Sequence, residues 1–361
     1  MTRASRLRTD KLAAVRILLD RLVENCQACY IPGPSVTVDE QLYPYRGRCK
    51  YRQYMPKKPA KYGLKFWLCC DSETFYVYNL QMYTGKDDAT DQTVSLGERV
   101  VHHLTSPLWG SGRNVTTDNF FTCIRLARFL KNKRMTLVGT MKANRREIPN
   151  EMKHKSDRAL YSSTFAFNAE DNTCLVSYKS KTNKTVIALS SQHASTEIAS
   201  SPKQKPVIIE CYNSTKGGCD AADQRIATYS VKYASRRWHV VAFCNIIDIS
   251  ALNAYILFTL SDIDWKSNVS HRRRLFLLRL SEQLTHAYRS RRHEQHGIHP
   301  AARLAHSRFQ NSGQDCCLPR TGRCSACSRQ RDRKVTTRCC NCQKFVCRDH
   351  FSLICQQCVQ Q

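Results

Sequence analysis

The sequence predicts an α/β protein that ends in a small metal-binding module. Three observations carry this reading. Strand-like and helix-like segments alternate from about residue 35 to residue 260. Two aromatic, aliphatic runs, Tyr62–Cys70 and Thr74–Tyr83, flank the polar turn Asp71-Ser72-Glu73, which signals a hairpin. Of the 20 cysteines, ten are scattered before residue 300 and ten crowd between Cys316 and Cys358, the pattern of core thiols followed by a metal site.

Taken in order, Thr9 or Asp10 can cap a helix running to about Cys29, with Leu12, Val15, Leu19, Leu22 and Cys26 on one face. Ser35–Leu42 reads as a strand, followed by the hairpin. Leu96–Leu104 reads as a helix, and Gly110-Ser111-Gly112 breaks the chain before a strand at Arg113–Thr117. A helix over Phe120–Lys131 and a strand over Met135–Met141 follow. Residues 145–206 are polar and read as a β-rich insertion, with short strands at Ser163–Phe167, Thr173–Lys179 and Thr185–Leu189. A strand over Val207–Tyr212 then leads through Lys216-Gly217-Gly218 to a helix from about Asp220. Trp238–Leu260 is long and apolar, but Asn245, Asp248 and Asn253 are costly in lipid, so it is expected as a buried helix and no membrane span is predicted. Arg272–Arg292 reads as a basic helix and 293–322 as a linker.

The charge narrows the function. Against 29 Asp+Glu stand 57 Lys+Arg, a net of +28, a field that suits a polyanion better than a small metabolite. Met1–Arg8 is basic and has no apolar stretch, so no secretory signal is expected, and a reducing compartment suits the thiols. The basic segments 271–274 and 289–293 read either as nuclear localisation signals or as phosphate contacts.

In so basic a chain, carboxylates at strand ends are informative. Asp39 closes the first strand, and Asp118 stands where a later strand gives way to a helix, the places where open α/β sheets bind ligands. Asp220 and Asp223 follow a Gly-Gly pair and lie one helical turn apart. Three converging carboxylates repel one another unless divalent hard cations such as Mg²⁺ neutralise them, and a pair of such ions serves in-line phosphoryl displacement. Spacing alone leaves structural roles open: Asp118 as an N-cap, Asp220 as a first-turn acid.

Longer motifs go further. Tyr45-Arg46-Gly47-Arg48-Cys49, Arg52-Gln53-Tyr54-Met55-Pro56-Lys57-Lys58-Pro59-Ala60-Lys61-Tyr62-Gly63, Gly110-Ser111-Gly112-Arg113-Asn114, Asn144-Arg145-Arg146-Glu147-Ile148-Pro149, Lys216-Gly217-Gly218 with Asp220 and Asp223-Gln224, and Arg236-Arg237-Trp238 together resemble piggyBac-type transposases from about residue 30 to the end. The resemblance implies an RNase H-like core in two parts, 35–144 and 207–262, around the 145–206 insertion. A residual helical segment, 1–34, would precede it. A basic helix and linker, 263–322, would join it to a cysteine-rich domain, 323–361. It implies that Asp39, Asp118 and Asp220 are the catalytic, Mg²⁺-binding aspartates, with Asp223 assisting. It further implies nicking of double-stranded DNA at transposon ends, hairpin formation and integration at TTAA, by a homodimer in the nucleus. The family carries dimerisation and DNA-binding segments ahead of the first aspartate, where this sequence has about 35 residues. Cys219 and His239 stand where the family more often has an apolar residue and a proline. The alternative is a domesticated DNA- or chromatin-binding protein that keeps the fold without transposing.

The C-terminal spacing is Cys324-x2-Cys327, Cys339-x2-Cys342, Cys347-x2-His350, Cys355-x2-Cys358, four pairs that can serve two tetrahedral structural zinc sites. Cross-bracing as in RING and PHD modules would join Cys324, Cys327, Cys347 and His350 on one ion and Cys339, Cys342, Cys355 and Cys358 on the other. Cys316, Cys317 and Cys340 are left over. Arg329, Arg331, Arg333, Lys334 and Arg338 lie in the long loop of this module, where they can meet phosphates or simply be solvated.

Overall fold

Ser35–Pro44 forms the strand (β1) on which the larger part of the molecule is assembled, and it is buried along most of its length. The computed structural model describes residues 10–85, 93–153, 158–294, 321–328, 334–338 and 344–350. These fall into two compact units, Met1–Arg272 and Arg273–Gln361.

In the first unit a helix, Arg16–Cys29 (α1), precedes β1. It starts later than the capping signal suggests, because Asp10 accepts from the Leu12 N–H at 2.8 Å and pairs with Arg16, holding residues 11–15 as turns. β1 runs antiparallel to Tyr62–Asp71 (β3), in register from Val36 opposite Asp71 to Pro44 opposite Gly63. The far side of β3 carries a short strand that sequence patterning did not reveal, Arg52–Tyr54 (β2), and the hairpin partner Val77–Met82 (β4). On its other side β1 is parallel to Asn114–Thr117 (β5), which is parallel to Thr136–Met141 (β6). Helices Leu96–Thr105 (α2) and Ile124–Asn132 (α3) lie between these strands in the chain and pack on β3, β4 and β6. α3 begins four residues after the expected start, because Phe120 and Phe121 leave the helix to pack against Trp67.

A short helix, Asn150–Lys153 (α4), opens the insertion region. Its strands Ser163–Asn168 (β7), Thr173–Lys181 (β8) and Lys184–Ser190 (β9) extend the main sheet rather than forming one of their own. β9 joins β6 antiparallel, and the order is β2-β3-β1-β5-β6-β9-β8-β7, with β4 also on β3.

The expected strand over Val207–Tyr212 is a helix, Val207–Thr215 (α5), with Pro206 at its N-cap. The β-branched run suggested a strand, but the edge of β6 is already occupied by β9. Ile208 and Ile209 are instead buried among Val138, Cys174, Val176, Tyr178 and Ala188, and that packing outweighs local propensity. Gly218–Thr228 (α6) follows and lies on β1 and β3.

Trp238–Ser261 (α7) is long and apolar enough to cross a membrane by length and composition. It serves as a core helix, against α6 and α1, and its buried polar residues each make hydrogen bonds, although the Asn245 Oδ1 has no partner among the described residues. Asn253 closes both polar groups of the Val77 backbone, Asp248 accepts from Tyr43 and from the Val231 N–H, and Asn245 donates to Gln41. The scattered cysteines, among them the fully buried Cys69, Cys70 and Cys174, are free thiols.

The second unit contains the helix Arg272–Glu294 (α8) from its second residue on, and a two-stranded ribbon, Gly322–Arg323 (β10) with Lys334–Val335 (β11).

Candidate functional site

The parallel pairing of β1 with β5 sets Val38 opposite Thr117. The next residue on each is an aspartate: Asp118 follows the last residue of β5, whereas Asp39, expected to close the first strand, lies midway along β1 opposite Leu68 of β3, because β1 runs on past its pairing with β5. Asp118 Oδ1 accepts from the Phe120 N–H at 2.8 Å, and its carbonyl accepts from the Thr122 hydroxyl at 2.7 Å. It therefore fixes a local turn rather than capping α3, whose N-cap is Cys123.

The third acidic position arrives on α6, which sits close to β1 because its first residue has no side chain. A Cβ on Gly218 would lie 2.6 Å from the Thr37 hydroxyl, and Cys219 Sγ reaches the Thr37 carbonyl at 3.2 Å. That approach brings Asp220 and Asp223 over the middle of β1. Asp223 accepts from Gln41 Nε2 at 2.9 Å, and Gln41 in turn accepts from Asn245 at 2.8 Å, a relay from the core helix to the cluster. Lys58, in the turn between β2 and β3, donates to the Glu40 carbonyl at 2.9 Å and lies 3.6 Å from Asp220 Oδ1.

The charges of these groups act on one another. Burial, then the neighbouring charges of Glu40 and Asp118, push the Asp39 carboxyl up to about 7. Burial also raises Asp223, against the Gln41 hydrogen bond and Lys58. Burial alone would lower Lys58, but Asp39, Asp220, Glu40 and Asp223 outweigh it and raise its ammonium. Tyr212 of α5 faces the same group: burial, joined by the charges of Asp118, Asp39 and Asp220, raises its phenol. All four expected acidic residues are thus within electrostatic reach of one cluster. Sequence reading missed Gln41, Lys58, Tyr212 and Asn245. Gln41, two residues after Asp39 and on the same strand face, was the most accessible of these.

This donor set fits a divalent hard cation. It offers oxygen ligands only, and the burial and neighbouring charges that push the Asp39 carboxyl up to about 7 are what a cation would offset.

Past the end of β1 lies an open groove of about 1330 Å³ lined by Arg46, Arg48, Lys232 and Arg236 together with Tyr62 and Tyr233. Tyr45 donates to the Arg236 carbonyl at 2.7 Å and Asp248 holds the Val231 N–H, so the far wall is fixed to the sheet and to α7. No acidic residue lines it.

In the second unit, Cys324, Cys327, Cys347 and His350 each offer one ligand atom, all within 4.8 Å of one another. These are the first and third pairs of the spacing. Burial would raise the Cys324 thiol, but the N–H groups of Cys347 and Ala326 hold it down to about 6, while burial and the neighbouring Cys347 and Cys324 thiols push Cys327 up to about 11, so the thiols of the group share their protons. Three sulfurs and an imidazole are a fitting set for zinc. Cys339, Cys342, Cys355 and Cys358 lie outside the described residues, as do Cys316, Cys317, Cys340, Arg329, Arg331 and Arg333.

A family model described as Transposase IS4 matches residues 2–255. The chain belongs to this transposase family, in its piggyBac-type form. Among curated relatives of this transposase-family chain, the human PiggyBac transposable element-derived protein 3 is 26% identical over 266 residues, covering 69% of this chain and 44% of the relative. The human PiggyBac transposable element-derived protein 2 is 23% identical over 263 residues, with the same shares. The chain therefore spans less than half the length of these relatives. A solved structure, the cryo-EM piggyBac transposase synaptic complex with hairpin DNA, superposes with a TM-score of 0.77 at 34% identity, covering 98% of this chain and 76% of that one. The mixed α/β fold is that of the piggyBac transposase structure.

Proposed function

We propose that the chain carries the catalytic part of a DNA transposase, with an RNase H-like core and a C-terminal cross-brace zinc module. The observation that carries this reading is the strand register that sets Asp39, midway along β1, beside Asp118, the residue after β5, with Asp220 and Asp223 brought in by α6. Asp39, Asp118 and Asp220 would hold two Mg²⁺ ions, with Asp223 assisting. Bound there, the ions would activate an attacking oxygen and stabilise the leaving oxygen of a phosphodiester. The chain's own contribution is positional. The strand register sets Asp39 beside Asp118, Gln41 orients Asp223, and the close seat of Gly218 on Thr37 fixes Asp220.

The DNA backbone would follow the basic groove of Arg46, Arg48, Lys232 and Arg236, whose cations neutralise phosphates while Tyr62 and Tyr233 offer apolar ring faces. The resemblance extends the reading to nicking at the element's end, a hairpin made by the freed 3′-hydroxyl, and joining at TTAA, in a nuclear homodimer. Cys324, Cys327, Cys347 and His350 would hold one structural zinc, and Cys339, Cys342, Cys355 and Cys358 the second.

The names of the human relatives favour a second reading, an element-derived DNA-binding protein that no longer transposes. One assay separates the two: Mg²⁺-dependent cleavage of a labelled duplex carrying an element end beside TTAA, with Asp118→Asn as control. Nicking followed by a hairpin, lost in the variant, supports the enzyme. Tight binding with no cut under any metal condition supports the derived protein.

A further inference from the structure

Lys58 is held in an unusual place for a lysine. Its turn is fixed by its own backbone: the Met55 N–H donates to the Lys61 carbonyl at 2.7 Å and the Lys58 N–H to the Met55 carbonyl at 3.1 Å. From there the side chain, 19% exposed, reaches the Glu40 carbonyl on β1 and Oδ1 of Asp220, whose side chain is 70% exposed. A second ammonium, Lys65, is also within electrostatic reach of the cluster, through Glu40, Asp39 and Asp118. That ammonium lies 3.7 Å from the Trp67 ring centre and 3.9 Å from Glu40 Oε2.

An ammonium 3.6 Å from a carboxylate oxygen neutralises part of that oxygen's charge and repels any second cation that approaches the same group. We propose that Lys58 is an internal counter-cation of the aspartate cluster, and that a divalent ion must displace its ammonium from Asp220 to bind. The inference rests on the metal reading of Asp39, Asp118 and Asp220 given above. Its consequence is a coupling between ion and nucleic acid. An ammonium released from Asp220 still has Asp39, Glu40 and Asp223 in reach, and where an ion occupies those carboxylates a phosphate oxygen of bound DNA is the anionic partner left for it. Lys58 thus weakens ion binding to the free protein and relaxes that penalty when DNA is present, which makes the two ligands cooperative.

The test is Mn²⁺ affinity of the full chain without DNA, read from the electron paramagnetic resonance signal of the free ion. Lys58→Met should bind Mn²⁺ roughly tenfold more tightly than wild type. Lys58→Gln, which keeps a hydrogen-bond donor for the Glu40 carbonyl, should move the same way, and Lys58→Arg, which keeps the charge, should stay near wild type. Damage to the fold would weaken binding, the opposite direction. Adding a duplex should tighten Mn²⁺ binding to wild type more than to Lys58→Met. Unchanged or weaker binding in both Lys58→Met and Lys58→Gln, while wild type binds Mn²⁺ and Asp39→Asn does not, overturns the role of Lys58 and leaves the metal reading standing. Absence of any Asp39-dependent Mn²⁺ binding in wild type overturns both.

Discussion

Gln41 and Asp223 are hydrogen-bonded at the aspartate cluster although 182 residues separate them, whereas Cys324 and His350 meet across only 26. The first site is a product of its fold. Sheet register, the close seat of α6 and the Asn245–Gln41 relay bring the carboxylates together against their mutual repulsion, with a large apolar core to hold them. The second is nearly the reverse. Among the described residues its buried apolar cluster consists of Cys324, Val346 and Cys347, so the prospective ligands are themselves much of the core. One region makes its site and the other is made by it, and the two should respond oppositely when a cation is taken away.

The sharpest way to break that contrast is to remove zinc. Zinc binding to such modules is worth on the order of 10 kcal/mol of apparent folding free energy. A zinc-selective chelator, or Cys347→Ser, should open the region after residue 320 to limited proteolysis while the melting of the first unit stays put. An unchanged digestion pattern would mean that the module has a core of its own.

Asp39→Asn should do the opposite in the first unit. A carboxyl raised in the folded state contributes stability that is full below its unfolded value near 3.8 and is lost as pH rises through about 7. Removing that ionisation should stabilise the Mg²⁺-free protein by about 1–3 kcal/mol at pH 8, much less at pH 4, and abolish stabilisation by Mg²⁺. Thermal melts at both pH values, with and without Mg²⁺, check this. A destabilised variant at pH 8 would place Asp39 in a satisfied hydrogen-bond network instead.

Glu98 serves as a control carboxylate in the same unit. Burial would raise it, but Arg125, Ser95 and Cys123 hold it down to about 2, and with Ser95 it closes a capping box on α2. The sign is therefore reversed: its stabilisation is present above its unfolded value near 4.5 and is lost as pH falls towards 2. Glu98→Gln should cost about 1–2 kcal/mol at pH 7 and leave Mg²⁺ stabilisation intact. Chemical denaturation against pH measures both parts.

The smallest effect concerns the groove. Arg46→Ala should lower the slope of log affinity for duplex DNA against log salt by about 1, weakening binding evenly across sequences. A fluorescence titration at several salt concentrations reads it, and an unchanged slope would remove Arg46 from the DNA path.

Much of this was legible before any coordinates. The alternation of strands and helices, the hairpin at Asp71, the breaking glycines Gly110 and Gly112, and the apolar helix with its three polar residues all follow from local chemistry that acts within a few residues. The grouping of Cys324 and Cys327 with Cys347 and His350 was legible for the same reason, since the spacing of short knuckles constrains it. Asp118 could be singled out as a strand-end carboxylate in a strongly basic chain, Asp39 was singled out on the same ground although it lies midway along β1, and motif resemblance added Asp220 and Asp223.

Neighbours chosen by the sheet lie beyond that reach. Val207–Thr215 is helical because β9 has already taken the edge of β6, a competition invisible in the β-branched run itself. Strands β7 to β9 join the main sheet for the same reason, an available edge rather than a local signal. Lys58, Gln41 and Tyr212 carry no mark of their own as members of the cluster. They join it because a turn, a strand face and a helix from three parts of the chain converge on β1 around Asp39, where burial turns ordinary side chains into strongly interacting charges and hydrogen bonds.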